Sequence, residues 1–132
     1  MAGSSQSRYR GITKDRSKAT TQLLGRFQPW HDGHTKLFER ALSKTGQVVI
    51  LLRESDGSES NPLGIKDRIA RIRGALSLAG YKYGREYEVI PVPNITHITY
   101  GRDVGYKIEQ ESLDKETESI SATKIREQWS KI

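Results

Sequence analysis

Two histidines, His31 and His34, stand three residues apart in the segment His31-Asp32-Gly33-His34. At the start of a helix, side chains with this spacing point the same way. A helix N-terminus also offers free backbone N–H groups and the positive end of the helix dipole, which favour a polyphosphate. Gly33 leaves room between the two imidazoles for a ligand or a backbone to approach closely. Positioned donors of this kind suit phosphoryl chemistry, because negative charge builds up on phosphate oxygens in the transition state.

The same pair of histidines has two other interpretations. Most isolated H-x-x-H pairs are surface histidines with no shared function. Zinc binding would need a third ligand, for which His97 or a carboxylate is the candidate, although a structural role at the surface fits His97 better. The chain has no cysteine, which excludes disulfides, zinc–thiolate sites and thiolate nucleophiles.

A second segment with phosphate-binding chemistry lies near the C-terminus, where Ile120-Ser121-Ala122-Thr123-Lys124-Ile125-Arg126 precedes an apolar-periodic stretch. Ser121 is a typical N-cap, and Ser121 and Thr123 offer hydroxyl and backbone donors at a helix start. Arg126 follows a little over one turn after Ser121 and carries a bidentate fork that fits phosphate. Taken alone, the segment is more typical of a simple helix cap followed by a solvated arginine.

Alternating apolar runs and amphipathic stretches predict the elements that must position these residues. Strands are predicted at 21–27, 47–52, 87–92, 95–100 and 107–113, and helices at 33–44, 65–79 and 122–129. Strands that alternate with helices favour a parallel sheet with right-handed crossovers. The predicted fold class is therefore α/β, a Rossmann-like doubly wound, mostly parallel five-stranded sheet with helices on both faces. Ligands of such sheets bind beyond the carboxyl ends of the strands, where His31 and His34 lie.

The length of 132 residues fits one domain, and the net charge of +6 is unevenly placed. Residues 1–20 carry five basic residues against one acidic residue, so we expect a disordered basic tail at 1–20 and a folded domain at 21–132. The remaining net charge of +2 is too small to indicate a nucleic-acid-binding face. No apolar run approaches the roughly 20 residues of a membrane span, and no signal peptide is evident. A cytoplasmic location is expected.

The segment GRFQPWHDGHTKLFERAL resembles the first signature of the HxGH nucleotidylyltransferase superfamily, and ISATKIRE resembles its second signature. The first is similar to archaeal nicotinamide mononucleotide adenylyltransferases at GRFQP and to glycerol-3-phosphate cytidylyltransferases at HDGHTKLFERA. The resemblance implies transfer of NMP from ATP or CTP to a small phosphorylated acceptor, with release of pyrophosphate. It implies catalytic roles for His31, His34 and Arg126. It also implies a nucleotide- and phosphate-binding site that comprises Gly25, Arg26, Phe27, Gln28, Gly33, Lys36, Ser121 and Thr123.

Weaker similarities indicate the acceptor and base pocket, for which the candidates are Arg53, Arg68, Gly101 and Asp103. A structural salt bridge is an equally good interpretation of Arg68, and Trp30 could either line the site or pack in the core. Mg²⁺ is expected to bind through the triphosphate oxygens, with no metal site built by the protein itself. A homodimer is possible by analogy. The alternative functions are a non-catalytic nucleotide-binding module and nucleic-acid binding through the basic tail.

Overall fold

The computed structural model describes residues 15–54, 62–102, 105 and 107–111, and every structural statement below refers to these residues. The element order is β1 (Thr21–Gly25), α1 (Asp32–Thr45), β2 (Val48–Arg53), α2 (Ile65–Leu78) and β3 (Tyr87–Val92). Each element lies within two residues of its predicted bounds.

The three strands form one parallel sheet in the order β1-β2-β3, so the predicted parallel arrangement is confirmed for this part of the chain. The register places Leu23 beside Ile50, and Ile50 beside Val89. Because side chains alternate along a strand, these three residues share one face of the sheet. All carboxyl ends of the strands lie at one edge, which is where the loops that follow β1 and β2 meet.

The hydrophobic core lies between that face and the two helices. The inward residues of β2 are fully buried, and they pack with α1 through Phe38 and with α2 through Ile72. On the opposite face Val49 and Leu51 are only half-buried. Both described helices therefore cover the same face, as two successive right-handed crossovers in one direction require. The helix predicted for the other face, at 122–129, falls outside the described residues.

Glycines end two of the elements as the sequence predicts. Gly46 caps α1 with a φ of 83°, and its N–H donates to the carbonyl oxygen of Leu42. This left-handed conformation is available to glycine without steric cost, and it stops the helix directly before β2. Gly80 follows α2 with a φ of 95°.

The predicted strand at 95–100 is not formed, because residues 93–100 have irregular backbone. Ile98 is 67% exposed and Tyr100 59% exposed, so the alternating pattern buries no face there. A tight turn lies at its start, where the N–H of Ile95 donates to the carbonyl oxygen of Pro93. Residues 107–111 are also irregular, and the five-stranded sheet remains a prediction beyond the three strands described here.

Residues 15–20, which were predicted to belong to the tail, contact the sheet at its amino edge. The side-chain amide of Gln47 donates to the carbonyl oxygens of Asp15 and Lys18 and to the hydroxyl of Thr20. Arg16 forms a salt bridge of 3.0 Å with the buried carboxylate of Glu88. A buried carboxylate needs such a partner, so the folded part begins before residue 21.

Among the described helices none is both long and apolar enough to cross a membrane.

Candidate active site

His31 and His34 form the N-terminal cap of α1. His31 is the N-cap, with φ −139° and ψ −179°, and its Nδ1 accepts a hydrogen bond of 3.0 Å from the N–H of Gly33. In return Nδ1 of His34 accepts a hydrogen bond of 3.1 Å from the N–H of His31. This reciprocal arrangement is a capping box, in which two imidazoles take the places usually held by serine or threonine and glutamate. The spacing of the motif therefore has a structural cause as well as a chemical one.

The capping hydrogen bonds fix the tautomer of both imidazoles. A ring nitrogen that accepts a hydrogen bond from a backbone N–H carries no proton, so in the neutral ring the proton is on Nε2. Both rings therefore present an Nε2–H donor. They stack with their centroids 3.8 Å apart and an interplanar angle of 26°. The structure thus brings His31 and His34 together as predicted, with two parallel donors at the positive end of a helix dipole.

Burial keeps both rings neutral. Desolvation and, to a smaller extent, the neighbouring His31 together lower the pKa of His34 to about 3, the latter because two imidazolium charges would repel each other. Desolvation also lowers the pKa of His31, against the opposing effect of Asp32. At neutral pH the pair donates hydrogen bonds without carrying charge.

Aromatic side chains supply the desolvation of His34. The ring of Phe27 lies 5.0 Å from that of His34 in an edge-to-face arrangement, and the indole of Trp30 lies 5.3 Å from it. Trp30 is 6% exposed, which shows that it packs in the core and also borders the histidine pair. The two alternatives that the sequence left open for Trp30 are therefore both true.

Phe27 reaches this position through an unusual backbone conformation, with a φ of 52°. A positive φ in a residue other than glycine is uncommon and costs of order 1 kcal/mol. It turns the ring back over Gly25, where an added Cβ would lie 2.7 Å from Cζ of Phe27. The Phe27 ring therefore requires glycine at position 25, because a side chain there would occupy the space of the ring.

Replacing Gly25 with alanine is expected to displace the Phe27 ring and to lower the free energy of unfolding by about 1–3 kcal/mol, as overpacking in a filled core does. Urea unfolding measures this loss. Gly74→Ala is the matched control, because a Cβ there meets nothing within 4 Å and alanine favours a helix interior. Equal stability of Gly25→Ala and the wild type would contradict the close approach.

Gln28 and Arg68 were predicted to bind nucleotide or acceptor, and the structure instead gives most of their polar atoms structural partners. The Gln28 side chain is buried, and its amide exchanges two hydrogen bonds, of 3.0 and 2.9 Å, with the backbone of Leu63. Nη1 of Arg68 donates to the carbonyl oxygens of Arg26 and Arg53, at 2.9 and 2.8 Å. These contacts join the loops after β1 and β2 to the start of α2.

Within the described part of the chain, two guanidinium nitrogens at this edge have no hydrogen-bond partner. They are Nη2 of Arg68, which lies 3.6 Å from a carboxylate oxygen of Glu54, and Nε of Arg53. Burial lowers the pKa of Arg68 and Glu54 raises it, and the guanidinium stays charged because its ordinary pKa is so high. A positive charge is therefore held inside the protein next to the end of β1.

The other predicted site residues are more exposed or lie outside the described part. Gly33 is buried in the first turn of α1, whereas Arg26, Lys36 and Gly101 are exposed. Asp103, Ser121, Thr123 and Arg126 fall outside the described residues, so their roles stay predictions. The capping-box role of His31 and His34 was missed, although the H-x-x-H spacing equals that of N-cap and N3 and could have indicated it.

The zinc interpretation finds no support in the described residues, where no three histidine, cysteine, aspartate or glutamate side chains come together. His97, its suggested third ligand, is exposed, and its Nδ1 lies 2.7 Å from the hydroxyl of its neighbour Thr96.

Low pH is expected to destabilise the protein through His34. The folded state binds fewer protons than the unfolded state, because the ordinary pKa of 6.5 falls to about 3 on folding. The stabilisation is complete above pH 6.5 and is lost as the pH falls towards 3, by about 2 kcal/mol between pH 7 and pH 5. Urea unfolding at both values should show a smaller loss for His34→Asn, which keeps an acceptor for the N–H of His31 and does not titrate.

A parallel α/β sheet with a donor pair at the N-terminus of its first helix is typical of proteins that bind phosphate groups. Comparison with known proteins identifies the family. Residues 23–112, more than half of the chain, match the cytidylyltransferase-like family, and the chain belongs to it.

Individual relatives agree with this family. The chain is similar to nicotinamide-nucleotide adenylyltransferase of Saccharolobus solfataricus, with 36% identity over 54% of this chain and 42% of the relative. It is also similar to the proteins of that name from Pyrococcus abyssi, at 27% identity, and Pyrococcus horikoshii, at 28%, over 79% of this chain and 69% of each relative. The chain thus spans less than half of the Saccharolobus protein and about two thirds of the Pyrococcus proteins.

Proposed function

We propose that this protein is a nucleotidyltransferase, which transfers an NMP group from a nucleoside triphosphate to a small phosphorylated acceptor. The observation that carries the proposal is the neutral imidazole pair of His31 and His34, whose Nε2–H donors lie side by side at the N-terminus of α1. The membership of the cytidylyltransferase-like family supports the same reaction class.

Catalysis of this reaction depends more on positioned hydrogen-bond donors than on covalent catalysis by the protein. An oxygen of the acceptor phosphate attacks the α-phosphorus of the triphosphate and forms a new P–O bond. The bond from the α-phosphorus to the bridging oxygen breaks, and its electron pair leaves with pyrophosphate. Negative charge grows on the α-phosphate oxygens and on the leaving group, and fixed N–H donors stabilise it without reorganisation.

Neutral histidines suit this task better than charged ones. An imidazolium at His34 would lose its hydrogen bond from the N–H of His31, because Nδ1 would then carry a proton. The capping box therefore opposes protonation and holds Nε2–H in place through the catalytic cycle. Charge complementarity to the polyphosphate comes from the helix dipole and from arginines and lysines.

The remaining contacts are carried over from the resemblance. We propose that Ser121, Thr123 and Arg126 bind the β- and γ-phosphates and that Arg26 and Lys36, which are both exposed, contribute positive charge. For the acceptor phosphate we propose the edge at Arg53 and Arg68, since each has a buried guanidinium nitrogen without a hydrogen bond to any described residue. Gly101 and Asp103 stay in the proposal as parts of the acceptor and base pocket.

Mg²⁺ fits this site only as a companion of the nucleotide. The Nε2–H groups that His31 and His34 present are donors, which bind phosphate oxygens and not a hard cation. Bound through the triphosphate oxygens, Mg²⁺ would supply charge neutralisation of the polyphosphate.

The name of the relatives suggests the first substrates to test. Their name supports ATP and a nicotinamide nucleotide as the first pair to assay. CTP with a polyol phosphate is the second pair, since the motifs are similar to those of cytidylyltransferases as well.

A pyrophosphate-release screen tests the proposal. Purified protein with Mg²⁺ is offered ATP or CTP against nicotinamide mononucleotide and a panel of sugar and polyol phosphates, with product identified by mass. Release that depends on one acceptor and yields the matching nucleotidyl product is the expected result. Triphosphate binding without release on any acceptor would point instead to a non-catalytic nucleotide-binding module.

A further inference from the structure

Trp30 stands beside the histidine pair and has no role in the reaction described so far. We propose that Trp30, anchored by Thr35, is a positioning residue that holds the ring of His34 at the angle from which Nε2–H meets the transferring phosphate. The inference rests on the proposed function, because it concerns the orientation of a donor in that reaction.

The indole of Trp30 makes one hydrogen bond and two contacts with aromatic rings, one of which is the ring of His34. Its Nε1–H donates a hydrogen bond of 2.9 Å to the hydroxyl of Thr35, and its ring lies 4.9 Å from Phe27 and 5.3 Å from His34. Thr35 directly follows His34 in α1, so the helical turn that carries the histidine also anchors the indole. A movement of Trp30 relative to His34 would break the hydrogen bond to Thr35.

His34 needs this additional constraint. Rotation of an imidazole about its Cβ–Cγ bond has broad, shallow minima, and one hydrogen bond at Nδ1 restricts it only in part. The stacked ring of His31 is only half-buried, so it confines His34 less than a buried side chain does. Trp30 is buried and fixed at its polar edge, so it is the more rigid wall next to His34.

Of these contacts, the hydrogen bond to the Thr35 hydroxyl can be removed with the least change in side-chain shape. An indole N–H is a donor only, and burying it without an acceptor is unfavourable. Valine has the shape of threonine without the hydroxyl, so in Thr35→Val the indole must shift towards another acceptor or water. The ring of His34 then gains freedom while both of its own nitrogens stay intact.

Loss of orientation affects kcat more than the KM for the triphosphate, because the donor matters most where charge develops. We expect Thr35→Val to lower kcat roughly 10-fold, with KM changed less than about 2-fold. Thr35→Ser, which keeps the hydroxyl, should restore kcat to within about 2-fold of the wild type.

Thr45→Val is the matched control. Thr45 lies at the opposite end of α1, and its hydroxyl also makes part-buried hydrogen bonds, to Thr21 and to the carbonyl oxygen of Gln47. It removes a similar interaction from the same helix without touching the histidine pair. We expect its kcat to equal that of the wild type at a temperature where both are folded.

The experiment combines steady-state kinetics with ¹⁵N spectra of the Trp30 indole and of the His34 ring, recorded on the full chain. In Thr35→Val the indole N–H signal should shift, the Nε2 signal of His34 should broaden, and kcat should fall. An unchanged His34 signal and an unchanged kcat, despite a shifted indole signal, would overturn the proposal.

The spectra also distinguish a failure of the proposed function from a failure of the proposed role of Trp30. If the wild type released no pyrophosphate with any acceptor, the proposed function would fail, while the response of the His34 signal to Thr35→Val would still decide whether Trp30 positions the ring. Should Thr35→Val fail to fold, Trp30→Phe removes the same hydrogen bond and keeps an aromatic wall. It should then show the broadened His34 signal, and a sharp, unshifted signal would contradict the role of the bond.

Discussion

His31→Asn and His34→Asn are each expected to lower kcat by roughly 10²–10³-fold, because each removes one Nε2–H donor from the transition state. The asparagine side-chain oxygen lies where Nδ1 of histidine lies, so each variant keeps its acceptor in the capping box. Asparagine is also a preferred N-cap, and the free energy of unfolding should change by less than about 1 kcal/mol. Catalysis and capping are thereby separated at both positions.

Steady-state pyrophosphate release and urea unfolding on the same samples measure the two effects. His97→Asn is the control, since His97 is an exposed histidine whose replacement should leave kcat unchanged. Near-normal turnover by both capping-box variants would remove the histidines from the mechanism. A large loss of stability with kcat intact in the folded fraction would reduce them to structural caps.

Arg68→Met is expected to destabilise the fold by about 3–4 kcal/mol, because two carbonyl oxygens lose their buried guanidinium donor and no polar atom replaces it. Those carbonyls belong to Arg26 and Arg53, at the ends of neighbouring strands. The guanidinium is 1% exposed, so water cannot take its place without opening the edge of the sheet. The melting temperature should fall by roughly 10 °C or more.

Arg71→Met is the matched control, on the same helix and one turn away. Arg71 is exposed and forms a surface pair of 2.9 Å with Asp67, which is worth about 0–1 kcal/mol. Thermal unfolding of the two variants should therefore differ clearly. Similar melting temperatures for Arg68→Met and Arg71→Met would show that the buried guanidinium does not hold the strand ends together.

The order and kind of the described elements follow from local sequence patterns. The run Val48–Arg53 is apolar without alternation and forms the central strand, covered by helices on one face and half-buried on the other. Gly46 marks the end of α1 because only glycine adopts its conformation without cost. The segment 95–100 has the right pattern but finds no partner strand in the described structure, since pairing is decided by tertiary contacts and not by the pattern.

The part of the candidate site that could be predicted is the part in which residue spacing indicates both the chemistry and the local backbone structure. The spacing of His31 and His34 places both at a helix start, and the structure confirms that they lie together. Gln28 and Arg68 show the limit of the sequence. Polar side chains beside a predicted site look like ligands, and only their own burial and their hydrogen bonds to backbone atoms reveal that they brace the loops.

The positive φ of Phe27 lay beyond the sequence for a related reason. A phenylalanine in an apolar run predicts continued strand, and the turn arises only because Gly25 leaves space for its ring. The hydrogen bond between Trp30 and Thr35, five residues apart, likewise has no local pattern in the sequence that predicts it.

The protonation of the histidine pair can be measured directly by ¹⁵N spectra of the His31 and His34 rings at pH 7, recorded without nucleotide and then with ATP, CTP or a non-hydrolysable triphosphate. Both rings should be neutral with the proton on Nε2, and addition of a triphosphate should shift both Nε2–H signals. Protonated rings, protons on Nδ1, or signals that no triphosphate moves would contradict a neutral donor pair that binds the polyphosphate.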